Sequence, residues 1–334
     1  MIQKSTMGTS RTRSLNLPAA AVALLLMGST LFAPASSLAQ AVRIKAAYSA
    51  ISAGLGSIWT AKETGAFAKE GLDVELLYIR TASPTMQALL SGELQFAHIG
   101  PVAVLNAWSE GGDVVWLGTT IRSMVFTLLA LPSIRSPADL IGKRIGITGK
   151  GSSAEIAVQM ALRHLNLDPS KVLFSYIGGV PDILMAMRSG AVQAGVVSPP
   201  TTTIGKKLGY KSLVFLPDLN QRFTFAGIVS SHRYVQENPR VARAFMKAIT
   251  EGVAIYKKNP DIALLVLRKY AKGGDPELLR EGYNEYVSAL SSPPMPDLEG
   301  LENVRESLVG ANPKLKTMDL RNLIDDRFMK EAIR

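Results

Sequence analysis

One segment occurs twice in this chain of 334 residues, and the repetition limits what it can fold into. Gln87 to Pro101 reads QALLSGELQFAHIGP, and Met185 to Pro199 reads MAMRSGAVQAGVVSP. Ser91-Gly92 aligns with Ser189-Gly190, Gln95 with Gln193, and Pro101 with Pro199, always at an offset of 98. Each copy reads as a helix end, a Ser-Gly stop, a short apolar strand and a turn closed by proline. The upstream context repeats as well. RIKAAY (43–48) is a strand, a Gly/Ser loop and a helix over 57–69 follow, and 74–79 is a second strand. In the other copy RIGIT (144–148) is the strand, GKGSS (149–153) the loop, a helix runs to His164, and 172–177 is the strand. Each unit is therefore β-α-β-α-β, which predicts parallel strands joined by right-handed crossovers. The chain should build two α/β lobes of like topology.

What lies outside the two units sets the domain plan. Thr119 to about Phe126 leaves the first repeat and predicts one crossing between lobes; 218–225 predicts the return, with Phe223 and Phe225 alternating as in a strand. The remainder reads as helical, from a long helix at 240–258 to a last amphipathic helix over 319–334, and should pack on the first lobe. The expected division is a leader at 1–39, lobe 1 at 40–122, lobe 2 at 123–224 and the rest of lobe 1 at 225–334.

The leader has Lys4, Arg11 and Arg13 ahead of an apolar run, Ala19 to Phe32, that is short for a membrane span. Small residues at Ser37 and Ala39 predict cleavage after Ala39 and export, with the periplasm as the expected address. The chain has no cysteine, which excludes disulfides, thiolate catalysis, thiolate metal sites and a lipid-modified cysteine anchor. Beyond residue 39, 34 Lys and Arg face 27 Asp and Glu. These cations are scattered along the sequence without a run or an interleaved aromatic stripe, so a solvated basic surface is expected rather than a nucleic-acid footprint. The excess would modestly steer anions.

Several positions can hold a ligand by hydrogen bonds. Ser52 and Gly54 lie in a small-residue loop before a helix start, where backbone N–H groups lack partners. Ser83, as cap, and Thr85 open a second helix, with Pro84 in its first turn. Gly100-Pro101 and Ser198-Pro199 are the paired turns of the repeat. Ser152 and Ser153 start a helix after a Gly-rich loop, and Gly179 opens another. The loop Gly149 to Ser153 fails the phosphate-loop pattern, since Gly151 stands where Ser or Thr is required; two hydroxyls at a positive helix end remain. Arg122, near the first crossing, has a guanidinium suited to bidentate contact with a carboxylate or sulfonate, or else bridges the lobes.

Catalytic constellations are weak. The three histidines, His98, His164 and His232, are isolated from one another in sequence. No zinc-protease, nucleophile-elbow or acidic metal-spaced motif occurs. No cofactor is expected.

Taken together, GAFAKEGLDVEL (65–76), QALLSGELQFA (87–97), SPADLIGKRIGI (136–147), GSSAEIAVQMALRHLNLDP (151–169), SGAVQAGVVSPP (189–200) and DLRNLIDDRF (319–328) resemble the substrate-binding proteins of ABC importers in the nitrate/sulfonate/taurine group, which includes binders of pyrimidine precursors. The resemblance runs from about Val42 to the C-terminus. It implies an α/β type II periplasmic-binding-protein fold, two Rossmann-like lobes joined by two hinge crossings, and a monomer that delivers a small-molecule ligand to a permease in the inner membrane. It also implies that Ser52, Gly54, Ser83, Thr85, Gly100, Pro101, Ser152, Ser153, Gly179, Ser198 and Pro199 contact the ligand; Arg122 is not among the positions it carries over. Pyrimidine-precursor synthases of the same fold carry a cysteine-rich motif, and this chain has none. The expected function is capture of a small anionic organic solute. The alternatives are an exported hydrolase or lyase using the same cleft, with His98 or Asp182 as base, and a ligand-sensing partner of a membrane receptor.

Overall fold

The computed structural model describes residues 40–333; the expected leader and its cleavage after Ala39 lie outside the described residues. Short apolar runs that would expose unpaired backbone in isolation form strands here because both faces are covered. In chain order, β1 (Val42–Tyr48), α1 (Gly56–Glu63), α2 (Ala66–Lys69), β2 (Leu72–Tyr78), α3 (Ala82–Leu90), β3 (Phe96–Ile99), α4 (Pro101–Ser109) and β4 (Val115–Ile121) make the first unit. The second comprises β5 (Thr127–Ala130), β6 (Arg144–Ile147), α5 (Ser153–His164), β7 (Leu173–Tyr176), α6 (Val180–Arg188), β8 (Ala194–Val197), α7 (Thr201–Lys207) and β9 (Lys211–Phe215). Then follow β10 (Ala226–Ser230), α8 (His232–Glu237), α9 (Pro239–Lys258), α10 (Pro260–Tyr270), α11 (Pro276–Val287), α12 (Leu298–Val309) and α13 (Arg327–Ala332).

Two five-stranded sheets result, β2-β1-β3-β10-β4 and β7-β6-β8-β5-β9. In each, the first strand pairs in parallel with the second and third. A strand arriving from the other sheet enters antiparallel between the third and fourth. The sheets thus exchange strands: β4 leads to β5, and β9 leads back to β10. The two crossings lie side by side. Phe223 N donates to Arg122 O at 3.2 Å, Phe225 N to Ile121 O at 2.9 Å and Leu216 N to Phe126 O at 2.9 Å. Short loop and strand-end segments of this kind can absorb the change of backbone angle that a hinge requires.

The C-terminal helices cover the first sheet. The apolar face of α9 buries Phe245, Met246, Ile249 and Val253. Phe245 stacks on Phe96 of β3 with ring centroids 3.9 Å apart. Burying such a ring is worth about 1.5–3 kcal/mol. Close approach of α9 to α1 requires Gly252, where a Cβ would sit 2.6 Å from Ser57 O.

Four details depart from the sequence expectations. The helix over 57–69 is broken at Gly65, whose φ of 77° ends α1 and starts α2. Thr119 and Thr120 belong to β4 and not to the crossing; Thr119 Oγ1 accepts from Trp116 Nε1 and Asp297 N. Phe223 to Phe225 is irregular rather than a strand, held by the opposite crossing and by Gly300 O. The tail is not one helix. Trp116 N donates to Leu323 O at 2.8 Å and Asp325 N to Trp116 O at 3.0 Å, so the segment before α13 is drawn out to pair with the open edge of β4.

Candidate functional site

The C-terminal ends of the parallel strands, and the helix starts that follow them, meet between the two sheets, the edge at which open α/β folds take ligands. Gly100 caps α4 in the first lobe, and a Cβ there would lie 3.4 Å from Ser153 Oγ at the start of α5 in the second. Pro101, the first residue of α4, is buried. At a second contact, Pro199 faces Gly282 of α11, with Pro199 Cβ 3.5 Å from where a Cβ on Gly282 would stand. At a third, Arg80, just beyond β2, pairs with Asp182 of α6 and lies against Gly178 and Gly179. Lys207 of α7 adds a 3.0 Å pair with Glu277 of α11. The lobes are therefore in contact, and the geometry is that of a closed cleft.

Between Ser52 of the first lobe and Ser198 of the second sits Tyr286, a residue that the sequence did not single out. Burial raises the Tyr286 phenol, while the nearby Ser52 and Ser198 hydroxyls pull the other way. The ring occupies the space above Gly54: a Cβ on Gly54 would be 2.6 Å from Tyr286 Cε1 and 2.7 Å from Ile121 Cδ1. Gly54 is thus required by a close approach. In the sequence, Tyr286 looked like any aromatic residue on the apolar face of a helix.

Some expected positions are occupied by local bonds. Thr85 is buried, and its hydroxyl donates to Thr81 O at 2.8 Å. Ser83 is exposed in the first turn of α3 and is not the cap; that position is Thr81. Ser152 caps α5, accepts from Glu155 N and donates to Gly149 O at 2.7 Å. The Gly-rich loop before it is not open to an anion at Gly151, because Gly151 N donates to Glu155 Oε2 at 2.6 Å. That carboxylate already holds the positive end of the helix. Gly179 caps α6 and donates to Asp182 Oδ2 at 3.1 Å.

Other polar groups at this edge are buried with no partner in the protein. Ser57 Oγ is at the start of α1, Thr202 Oγ1 at the start of α7, and Thr127 Oγ1 at the end of β5 that pairs with Val197. Arg122 Nε, in the first crossing, completes the set. Among the described residues Arg122 forms no ion pair; its backbone bonds Ala289 and Phe223. Folded chains pair almost all such groups, and an unpaired one costs about 1–3 kcal/mol. These four can donate; Glu285 Oε2 of α11, beside Tyr286, is a buried acceptor without a partner. Sequence reasoning passed over Ser57 and Thr127 because a missing partner is a tertiary property; the run Thr201-Thr202-Thr203 at a helix start was the one available signal.

The titratable residues are poorly placed for chemistry. His98 is fully buried on β3, and burial pushes its pKa down to about 3. Its Nε2 lies 2.7 Å from Thr120 Oγ1. His164 is exposed, and His232 contacts Gln236. Among the described residues no cluster of His, Asp and Glu could hold a metal ion, and no helix is long and apolar enough to cross a membrane. A cavity of about 530 Å³ opens between α7 and α11, lined by Thr203, Lys206, Lys207, Glu281, Asn284 and Glu285. Burial raises the Glu285 carboxyl there, against the pull of Lys206.

The family model described as NMT1/THI5 like matches residues 53–263. A Brucella abortus chain described as a binding protein is 26% identical over 267 residues, covering 76% of this chain and 79% of that one. The formylaminopyrimidine-binding protein of Halalkalibacterium halodurans is 27% identical over 254 residues, covering 74% and 73%. Among solved structures, the periplasmic aliphatic sulphonate binding protein SsuA from Escherichia coli superposes with a TM-score of 0.71 at 20% identity, over 85% of this chain and 92% of that one. That likeness is one of fold, and the fold is the two-lobed periplasmic-binding architecture expected from the sequence.

Proposed function

The chain belongs to the NMT1/THI5 like family, and from that premise we propose that it is a periplasmic solute-binding protein that encloses a small anionic organic solute between its lobes and passes it to an ABC importer in the inner membrane. The observation that carries this reading is Arg122: a half-buried guanidinium in the hinge with no carboxylate against it, accompanied at the strand ends by the unpartnered hydroxyls of Ser57, Thr127 and Thr202. These four unmet groups all donate and suit a ligand that accepts, such as a carboxylate or sulfonate, while the unmet acceptor nearby, Glu285 Oε2, belongs to a carboxyl that burial pushes toward its neutral form. Capture without conversion is favoured because the two candidate bases are committed elsewhere. His98 is a buried, weakly basic imidazole, and Asp182 is paired with Arg80.

Thermal unfolding with a panel of alkanesulfonates, carboxylates, nitrate and aminopyrimidines tests the proposal. A ligand present at 100 times its Kd should add about 2.7 kcal/mol to stability. The expected hit is an organic anion. A hit confined to uncharged pyrimidines would refute the anionic class, and no hit at all would refute capture of these solutes.

A further inference from the structure

Charge is divided unevenly within the fold. Residues 127–215, which build the second sheet, carry ten Lys and Arg against four Asp and Glu; the rest of 40–334 carries 24 against 23. Almost the whole excess of the mature chain therefore sits on one lobe. The four carboxylates of that lobe are all committed. Asp139 accepts from Arg135 N and Ser136 N, Asp168 from Ser170 N, Glu155 from Gly151 N and Tyr176, and Asp182 pairs with Arg80 across the cleft. Among the described residues no ion pair forms within 127–215, whereas the other lobe has several of its own, such as Lys69–Glu251 and Lys269–Glu63.

The topology gathers six of these ten cations, Lys143 among them, at one pole. Arg144 begins β6, Lys211 begins β9, Lys171 precedes β7, Arg188 ends α6, and Arg135 follows the far end of β5. Hydrogen bonds hold them close: Leu173 N donates to Lys143 O at 2.9 Å, Gly142 N to Lys171 O at 2.8 Å, and the Lys211 side-chain Nζ to Ile134 O at 3.3 Å. This edge is opposite the one that carries Ser153 and Ser198. Ile141 and Leu173 stand among the cations, each 50% exposed.

We propose that this pole is a docking surface for an anionic phospholipid bilayer. Clustered, exposed cations at one end of a sheet, with aliphatic side chains between them, suit a flat charged interface that also accepts shallow apolar insertion. A single-stranded nucleic acid would call for aromatic stacking platforms among the cations; the one aromatic next to them in sequence, Tyr210 before Lys211, is packed against the Leu129 and Ile183 cluster. The surface is separate from the cleft, so the proposal stands or falls independently of the solute.

The test uses residues 40–334, a compact unit by itself, in cosedimentation with vesicles of 70:30 phosphatidylcholine and phosphatidylglycerol and with pure phosphatidylcholine. Binding is expected to the anionic vesicles only and to fade as salt rises. The triple variant Lys143→Gln/Arg144→Gln/Lys171→Gln should bind roughly a hundredfold more weakly, at about fivefold per cation. Lys272→Gln/Arg280→Gln/Lys316→Gln, exposed on the other lobe, should bind like the parent. Circular dichroism confirms that both variants are folded. Equal losses in the two triples would reduce the effect to net charge and overturn the proposal. Retention on polyglutamate without vesicle binding would overturn it in favour of an acidic protein.

Discussion

Gln95 and Gln193, 98 positions apart in sequence, make the same bonds in opposite lobes. Each side-chain oxygen accepts from the first strand of its sheet, Lys45 N at 2.7 Å and Arg144 N at 3.2 Å. Each Nε2 donates back to the glycine that ended the preceding helix, Gly92 O at 3.4 Å and Gly190 O at 2.9 Å. Each backbone N donates to the same first-strand residue at 2.9 Å. The side chain thus ties helix stop, third strand and first strand together. Gln95→Ala and Gln193→Ala should each cost about 1–2 kcal/mol in urea unfolding, from two side-chain bonds. With no shared partner, their effects should add to within about 0.5 kcal/mol. A large cost at one site and none at the other would deny the equivalence.

Gly54 and Tyr286 form a second tight pair. Gly54→Ala forces a methyl group into the Tyr286 ring and should destabilise the protein by about 1–3 kcal/mol. In the Tyr286→Ala background the same change should cost less, with only the Ile121 contact left to oppose it, giving a coupling energy of at least about 0.5 kcal/mol in a double-mutant cycle. Urea midpoints of the four proteins check this; strict additivity would show that the contact carries no energy.

The doubled units, their element order and the strand-end edge were legible because local chemistry records them. Gly92 and Gly190 have φ of 84° and 76°, a region that favours glycine, so Ser-Gly after a helix marks the stop in both lobes. The crossings were legible as breaks in the repeat. Pairwise tertiary facts were not. Glu155 reads as a helix-start acid whether or not it fills the Gly-rich loop, and Ser52 and Ser198 gave no sign that Tyr286 would stand between them. The tail was misread because its amphipathic pattern was compatible with a helix, while the demand of β4 for an edge partner lay about 200 residues earlier.

His98 makes stability depend on mild acid. Its folded pKa is near 3 against an ordinary value of 6.5, so below pH 6.5 the unfolded chain takes up a proton that the native state refuses. The full contribution is present above pH 6.5 and falls, by up to about 1.4 kcal/mol per pH unit, as pH drops toward 3. Carboxylates held low, such as Asp319 at about 2, act only further down. Urea unfolding between pH 7 and 4.5 should show this slope, and His98→Asn should flatten it even though the variant is less stable overall. An unchanged slope would place the titration elsewhere.

Arg122 should separate stability from binding. Its guanidinium has no ion pair to lose, so Arg122→Gln should unfold within about 0.5 kcal/mol of the parent or be slightly more stable. Against an organic anion that raises the melting temperature of the parent, affinity by calorimetry should fall about thirtyfold or more, the cost of leaving a desolvated charge unmatched. Normal affinity in the variant would assign Arg122 to the hinge alone.

Closure of the two lobes on a diffusible guest can be measured directly. The natural chain has no cysteine, so Glu93→Cys and Ala191→Cys, equivalent exposed positions at the 98-residue offset, can carry the only two spin labels. Pulsed dipolar spectroscopy of this pair, with and without the organic anions that raise the melting temperature, gives the interlobe distance directly. A broad distribution is expected in their absence, collapsing to the single distance of the closed structure when the anion binds. A distribution that no anion alters would contradict it.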